Sequence, residues 1–201
     1  MHYDKTKNSA IWRINAFSKQ AVDEMLQVMY QVPNKIFLKQ RGCHLLVKSR
    51  RIVEATNYKS MATAFLQEGE VYHKASFQFL TGTSFKVDGQ YVMFPDPARM
   101  YKGIMKRWNA FSTTEVFEYD ELIEALCNHV YVMDYRLQMQ KFSVDRKGMI
   151  PGFRGQYVLG FRNNSVLSKL AALMSYFATF CGVGIKAGLG MGAVTMQLEK
   201  K

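Results

Sequence analysis

The residues of this chain best suited to chemistry are five glycines and one lysine near its C-terminus. They lie between Cys181 and Val194, in a run that contains no other charged side chain. These residues are Gly182, Gly184, Lys186, Gly188, Gly190 and Gly192. Glycines at this density let consecutive peptide N–H groups turn toward one ligand without interference from Cβ atoms, an arrangement that suits phosphate. The run therefore predicts an anion-binding loop, and its lone lysine strengthens that prediction.

The sequence around the loop excludes two familiar phosphate-binding motifs. A dinucleotide fingerprint follows a strand and opens a helix, and a P-loop closes on Lys-Ser or Lys-Thr. Here apolar residues at helical spacing precede the glycines, and Ser165 is the predicted cap of a helix over 165–181. A strand-like run from Ala193 to Leu198 follows them. The predicted order is therefore helix, glycine-rich loop, final strand.

The last third of the chain is electropositive. The 201 residues carry a formal net charge of +11, and residues 136–201 hold ten basic and two acidic side chains. A basic balance by itself is common among soluble proteins. Together with an anion-binding loop, it favours nucleic acid as the partner.

Four further segments and the glycine-rich run together resemble a known family. The run has the form G-x-G-x-K-x-G-x-G-x-G and leads into the last predicted strand. The other segments, in chain order, are Gly89–Pro95, Met105–Asn109, Asp134–Leu137 and Ile150–Gly155. Over roughly residues 70–201 the chain resembles the CRISPR-associated endoribonucleases that cut repeat RNA, members of the RAMP superfamily.

The resemblance implies an α+β fold of tandem ferredoxin-like (RRM-like) domains and a role in processing CRISPR repeat RNA (pre-crRNA) for antiviral defence. In that family the 2′-hydroxyl attacks the adjacent phosphate without a metal or cofactor, and the products are a 5′-hydroxyl and a cyclic phosphate. The resemblance also implies that the five loop glycines and Lys186 contact RNA phosphates. An alternative within the same superfamily is a non-catalytic RNA-binding subunit of a CRISPR effector complex. A generic basic RNA-binding protein is the alternative outside it.

Gly188 and Gly190 are expected to be the most sensitive positions of the loop. A β-branched residue at either position cannot take a positive φ and would block the close approach of a phosphate. We therefore expect a side chain there to be strained.

Five basic residues lie on a predicted hairpin and can line an RNA groove. They are Arg136, Lys141, Arg146, Lys147 and Arg154. For each one alone, a role in surface solubility is the competing interpretation. Phe153 and Tyr157 on the same hairpin are predicted to be core residues rather than platforms for base stacking.

We assign no catalytic residue from the sequence. The family's histidine precedes a Pro-Tyr-Ser/Thr segment, which is not found ahead of Trp12, and His2 lies too close to Trp12. His44 and His73 fall in predicted strands, and His129 follows an acidic stretch predicted to be an inserted amphipathic helix, Glu118–Cys127. The expectation is a chain that lacks its N-terminal catalytic segment and binds repeat RNA without cutting it.

The cysteines and the N-terminus favour a cytoplasmic location. Cys43, Cys127 and Cys181 lie far apart without a C-x-x-C pair, so the sequence encodes neither a disulfide framework nor a zinc site. Buried reduced thiols are the simpler expectation. The sequence shows no secretory signal, and its uncharged run at 170–185 is too short to span a membrane.

Hydrophobic periodicity predicts two domains, 1–67 and 68–201. In the first, a strand over Ser9–Phe17, a helix over Lys19–Gln31 capped by Ser18, and a strand from Lys35 to Val47 broken at Arg41-Gly42 make a partial ferredoxin-like unit.

The second domain has the full order β-α-β-β-α-β. Its first strand alternates Ala75, Phe77 and Phe79 with polar residues, and its first helix is capped by Asp96. A bulge is predicted near Lys141, and a turn at Asp145–Gly148.

Overall fold

The computed structural model describes residues 2–4, 9–16, 18–39, 42–112, 116–117, 120–143 and 148–200, which form two compact units. One unit consists of residues 14–57, and the other of residues 1–13 and 58–201. The predicted domain boundary at 67/68 stays a prediction.

The first two strands are short and pair only with each other. Strand β1 (His2–Asp4) and strand β2 (Ser9–Ile11) are antiparallel. The prediction of one strand over Ser9–Phe17 is wrong beyond Ile11, because the three residues of β1 offer no further partner and residues 12–16 are irregular. Phe17 lies outside the described residues.

The unit at 14–57 contains one helix and one hairpin. Helix α1 (Lys19–Gln31) has the predicted bounds, and the Ser18 hydroxyl accepts a hydrogen bond from the Ala21 amide at 3.2 Å, which confirms the predicted cap. Strands β3 (Lys35–Leu38) and β4 (Cys43–Leu46) pair antiparallel. The predicted broken strand is therefore a hairpin, and Gly42 turns at a φ of +60°.

Besides β1 and β2, the larger unit contains a short helix, a second hairpin, three longer helices and a four-stranded sheet, all within residues 58–201. Its elements in chain order are α2 (Tyr58–Ala62) with a following π-helical turn (Thr63–Gln67), β5 (Tyr72–Thr83), β6 (Phe85–Val87), β7 (Gln90–Val92), α3 (Pro97–Phe111), α4 (Asp120–His129), β8 (Val130–Ser143), β9 (Met149–Phe161), α5 (Ser165–Cys181) and β10 (Val194–Lys200). The sheet has the order β10-β5-β9-β8, with every neighbouring pair antiparallel. Without the β6–β7 hairpin and α4, the chain runs β-α-β-β-α-β, which is the predicted ferredoxin-like topology.

One face of this sheet forms the core with α3 and α5. The predicted alternation of β5 is confirmed, because Phe77 and Phe79 are fully buried while Gln78 between them is exposed. Trp108 of α3 is fully buried and meets the Phe177 ring of α5 edge-on at 5.1 Å between centroids. The prediction that Phe153 and Tyr157 are core residues is also confirmed, with exposures of 1% and 0%.

Capping side chains set the starts of α3 and α5. Asp96 caps α3 as predicted, since its carboxylate accepts from the Ala98 amide. The predicted Ser165 cap of α5 is wrong by one residue. Asn164 has the extended backbone of a cap and accepts from the Leu167 amide at 3.1 Å, which leaves Ser165 as the first helical residue.

The bulge of β8 lies near its start rather than near Lys141. The register with β9 shifts between Val132 and Asp134 and then runs without interruption to Ser143. Met133 is therefore the extra residue. Of the predicted turn Asp145–Gly148, only Gly148 is among the described residues. Within the described part of the chain, no helix is both long and apolar enough to cross a membrane.

The two units should differ in local stability. No residue described within 14–57 is buried, whereas the sheet and α5 of the larger unit hold most of the buried apolar side chains. Few buried contacts leave amides open to exchange. We expect hydrogen exchange measured by mass spectrometry to be faster throughout α1, β3 and β4 than in β5, β9 and α5. Equal protection in both units would contradict this expectation.

Candidate functional site

The glycine-rich loop at 182–193 docks against the end of β5. The Gly192 amide donates to the Gly82 carbonyl at 3.2 Å, and the Ile185 amide donates to the Ser84 carbonyl at 2.9 Å. Inside the loop, the Val183 amide donates to the Gly192 carbonyl at 2.9 Å, and this bond joins the beginning of the loop to its end. The loop is thus an ordered part of the unit rather than a loose connection.

Three of the five glycines are required by this docking. Gly182, Gly184 and Gly192 all have a positive φ, which L side chains rarely adopt. A Cβ on Gly184 would overlap the Ser84 carbonyl oxygen, and one on Gly192 would overlap the Val183 carbonyl oxygen. These glycines therefore allow close approach of the loop to other protein backbone.

Gly188 and Gly190 are different, because a Cβ on either residue would meet open space. Gly190 has a φ of +91°, whereas Gly188 has no positive φ. The expectation that a side chain at Gly188 would be strained is therefore wrong. Both residues lie in the outer turn of the loop, residues 186–190, and both are exposed.

The outer part of the loop presents one cation and three consecutive amides. Lys186 is exposed and left-handed, with a φ of +53°, and it precedes a single 3₁₀ turn, Ala187–Leu189. The Leu189 and Gly190 amides donate back into this turn. The amides of Lys186, Ala187 and Gly188 donate to no partner among the described residues. Such a group of N–H donors beside an ammonium can hold a phosphate.

Arg107 of α3 also contacts the loop, and no feature of the sequence pointed to it. Its Nη1 donates to the Gly182 carbonyl at 2.9 Å, and its Nη2 donates to the Gly184 carbonyl. A lone arginine on an amphipathic helix is indistinguishable in sequence from a surface charge. The contact depends on the way α3 and α5 pack.

The structure brings together two of the five basic residues predicted on the hairpin. Arg136 pairs with Gln156, and Arg154 pairs with Gln138, so both arginines lie on the sheet face opposite the core. Both are exposed. Lys141 is exposed but projects from the other face, because it lies an odd number of residues beyond Arg136 in an uninterrupted register. Arg146 and Lys147 lie outside the described residues.

The register also places Arg154 near the loop. Its neighbour Phe153 pairs with Thr83, which lies between the two residues that accept hydrogen bonds from the loop, Gly82 and Ser84. A row of polar side chains then crosses the exposed sheet face. The row consists of Arg136, Gln156, Gln78 and Thr195.

None of the described histidines lies in the loop. His129 is buried, and its Nε2 lies 3.0 Å from the Ser168 hydroxyl. Burial, followed by the charge of Arg162, lowers the pKa of His129, so it is a neutral core residue at pH 7. His44 is exposed in β4 beside the Phe37 ring, and His73 is half-buried in β5. His2 lies in β1.

The cysteines are free thiols in three different environments. Cys181 is buried and Cys127 half-buried, but Cys43 is exposed, so the expectation of buried thiols is wrong for Cys43. Cys43 is exposed because the unit at 14–57 has no buried core among its described residues. Among the residues described, no three His, Cys, Asp or Glu side chains group closely enough to hold a metal ion.

The larger unit is a ferredoxin-like domain with a glycine-rich loop before its last strand, and comparison with known proteins identifies the family. The family model of the CRISPR-associated endoribonuclease Cas6 matches residues 77–194, which is more than half of the chain. The chain belongs to this family. It is 28% identical over 195 residues to the Cas6 endoribonuclease of Mycobacterium tuberculosis, which covers 96% of this chain and 60% of the relative. The Streptococcus thermophilus relative is 24% identical, covering 96% of this chain and 78% of the relative.

Solved structures agree with the predicted tandem ferredoxin-like fold. A Thermus thermophilus Cas6 is 25% identical with a TM-score of 0.61, covering 71% of this chain and 58% of that one. A Cas6 product complex has a TM-score of 0.74 at 18% identity, covering 90% of this chain and 74% of that one. The chain thus spans less than two thirds of the length of the M. tuberculosis and T. thermophilus relatives.

The two kinds of loop glycine should respond differently to substitution. Gly192→Ala forces a Cβ onto the Val183 carbonyl at a positive φ, so we expect a loss of at least about 1–3 kcal/mol of stability. Gly188→Ala adds a methyl group in open space and should unfold like the unsubstituted chain. Thermal unfolding checks this, with a melting temperature lower by about 3 °C or more for Gly192→Ala. Equal melting temperatures would contradict the structural role of Gly192.

Proposed function

We propose that this chain is the RNA-holding part of an endoribonuclease that cuts CRISPR repeat transcripts into guide RNAs for antiviral defence. The observation that carries the proposal is the outer turn of the loop, where three consecutive amides without partners among the described residues lie beside the exposed Lys186. Membership of the Cas6 family supplies the class of RNA. A Cas6 that is 26% identical to this chain has been solved as a product complex, which supports the reaction product as a ligand of this fold.

In this proposal the loop binds one phosphate of the RNA backbone. The amides of Lys186, Ala187 and Gly188 donate to its oxygens, and the lysine ammonium adds a charge-assisted contact. Gly188 matters here because it has no side chain to keep the phosphate away from its own N–H. Gly182, Gly184, Gly190 and Gly192 contribute indirectly, because their positive φ angles allow the loop backbone to follow its path.

The exposed sheet face continues the RNA path away from the loop. Arg154 lies at the end of the sheet where the loop docks, and Arg136 stands diagonally from it, at a Cα separation of roughly 7–8 Å. Two arginines at this spacing suit successive phosphates of a backbone. Lys141, Arg146 and Lys147 remain proposed RNA contacts, and of these Lys141 projects from the other face of the sheet.

In the reaction proposed for the whole protein, the nucleophile is the 2′-hydroxyl of the RNA itself. The 2′-oxygen loses its proton and attacks the adjacent phosphorus, the 5′-oxygen leaves and takes up a proton, and a cyclic phosphate and a 5′-hydroxyl result. A base and an acid must serve these two protons. The buried His129 cannot reach an RNA, and no described histidine lies in the loop.

Other proteins are further proposed partners of this chain. A Cas6 domain in a Cas6-RT-Cas1–Cas2 complex has the same fold at 12% identity, and that protein assembles with other subunits. For this chain the proposed further partner is a multi-subunit CRISPR effector complex. A cytoplasmic location fits the free thiols.

Lys186→Ala should weaken binding to repeat RNA without destabilising the fold. The lysine is exposed and is the only cation between Cys181 and Val194, so its removal deletes a phosphate contact and little packing. For single-stranded RNA, the slope of log K against log salt should become shallower by about 0.7 for each phosphate that is no longer neutralised. Fluorescence anisotropy with labelled repeat RNA measures both quantities.

Two controls sharpen this measurement. Lys186→Arg keeps the charge and should retain most of the affinity, and Lys102→Ala removes an exposed charge from α3, which packs on the core side of the sheet. Unchanged affinity and slope in Lys186→Ala would remove the lysine from the site. Equal affinity for repeat RNA and a scrambled RNA of the same length would instead favour a generic RNA-binding protein.

The chain by itself should bind repeat RNA but leave it intact. The physical reason is that His129 is buried in the core, and His73 lies at the start of β5 rather than at the end where the loop docks. A gel assay with end-labelled repeat RNA and no added metal checks this. Cutting at a defined site would show that the acid and base lie within this chain, and would contradict the expectation of binding alone.

A further inference from the structure

Arg107 links helix α3 to the glycine-rich loop through two hydrogen bonds of one guanidinium. Nη1 donates to the Gly182 carbonyl at 2.9 Å, and Nη2 donates to the Gly184 carbonyl. Both acceptors have a positive φ, so the carbonyls two residues apart can turn toward a common donor. A planar fork with fixed donor positions matches this geometry, whereas a single ammonium does not.

The position of the guanidinium is also favourable electrostatically. Gly182 is the C-cap of α5, a helix of 17 residues, and the C-terminal end of a helix carries partial negative charge. Arg107 is half-buried there. Within the described residues, no carboxylate lies within 4 Å of it. Its two hydrogen bonds go to backbone carbonyls of the loop, so they depend on the loop keeping its shape.

The neighbouring Cys181 side chain is a neutral thiol and therefore forms no ion pair with Arg107. Burial raises the pKa of Cys181 to about 11, although the nearby Arg107 charge opposes that rise. Cys181 is thus neutral at pH 7, and its thiol donates to the Gly182 carbonyl at 3.2 Å. The same carbonyl accepts from both side chains, which anchors the start of the loop.

From these contacts we propose that Arg107 is a positioning residue, which holds the loop so that Lys186 and the three free amides face one RNA phosphate. This inference rests on the function proposed above. Arg107 holds the inner arm of the loop, residues 182–185, through the Gly182 and Gly184 carbonyls. The hydrogen bonds that the loop donates to Gly82 and Ser84 hold it against the end of β5. The outer turn begins two residues later, so a shift of the inner arm moves the amides directly.

The first test is substitution of Arg107 with measurement of RNA affinity. Arg107→Lys keeps the charge but removes the fork, and it should lower the affinity for repeat RNA about tenfold, as expected when one hydrogen bond to a charged group is broken. Arg107→Ala should weaken binding at least as much. Lys106→Ala removes a charge from the exposed face of the same helix and should bind as the unsubstituted chain does. Unchanged affinity in Arg107→Lys would overturn the proposal.

A double-substitution cycle separates positioning from direct contact with RNA. If Arg107 acts through the loop, the affinity of the double variant Arg107→Lys/Lys186→Ala should fall by a smaller factor than the product of the two single factors. Reductions that multiply would mean that Arg107 contacts RNA independently and would overturn the positioning role. Hydrogen exchange gives a readout without RNA. In Arg107→Lys the Val183 and Ile185 amides should exchange faster, while those of β5 and β9 stay protected.

The two proposals fail in distinguishable ways. If the unsubstituted chain binds no repeat RNA but Arg107→Lys still loosens the loop amides, the RNA function fails and the structural link stands. If the chain binds RNA and Lys186→Ala weakens it, while Arg107→Lys leaves both affinity and loop exchange unchanged, the positioning role fails by itself. A general decrease of protection in Arg107→Lys would also overturn it, because the effect would then be on the whole fold.

Discussion

The close approach of two backbone segments at Gly184 and Gly192 is the constraint on which the candidate site depends. Neither position has space for a Cβ, because the carbonyl oxygens of Ser84 and Val183 occupy it. This approach lets the loop satisfy its inner amides against the end of β5. The three consecutive amides without partners among the described residues consequently lie in the outer turn. A looser loop would spread its donors over many directions and would present no site for one phosphate.

The four-stranded sheet separates a buried apolar face from an exposed polar face. Residues on alternate positions of β5 and β9 bury aromatic rings under α3 and α5, and their neighbours leave polar side chains exposed on the other face. A single bulge at Met133 decides which residues of β8 join which face. Beyond it the register is continuous, so Arg136 shares the polar face with Arg154 and Lys141 does not.

Local signals in the sequence predicted the elements that depend on local physics. The cap and bounds of α1, the Asp96 cap of α3 and the alternation of β5 follow from side chains within a few residues of the feature they determine. Features that depend on distant contacts were missed or misplaced. The bulge of β8 is set by pairing with β9, and the Arg107 contact joins residues 75 and 77 positions apart. The glycine motif was recognisable, but its division into docking and outer residues required the fold.

The backbone of Lys186 gives an independent argument that its side chain is used. A non-glycine residue with a left-handed backbone costs free energy that a glycine would avoid, and this loop has glycines at five nearby positions. The other described non-glycine residue with a positive φ is Asp88, in the tight turn between β6 and β7, where aspartate is common. Lysine has no such local preference for the left-handed region. Its presence at 186 is therefore best explained by a requirement for its ammonium at that point, beside the only consecutive amides that the described loop leaves without partners.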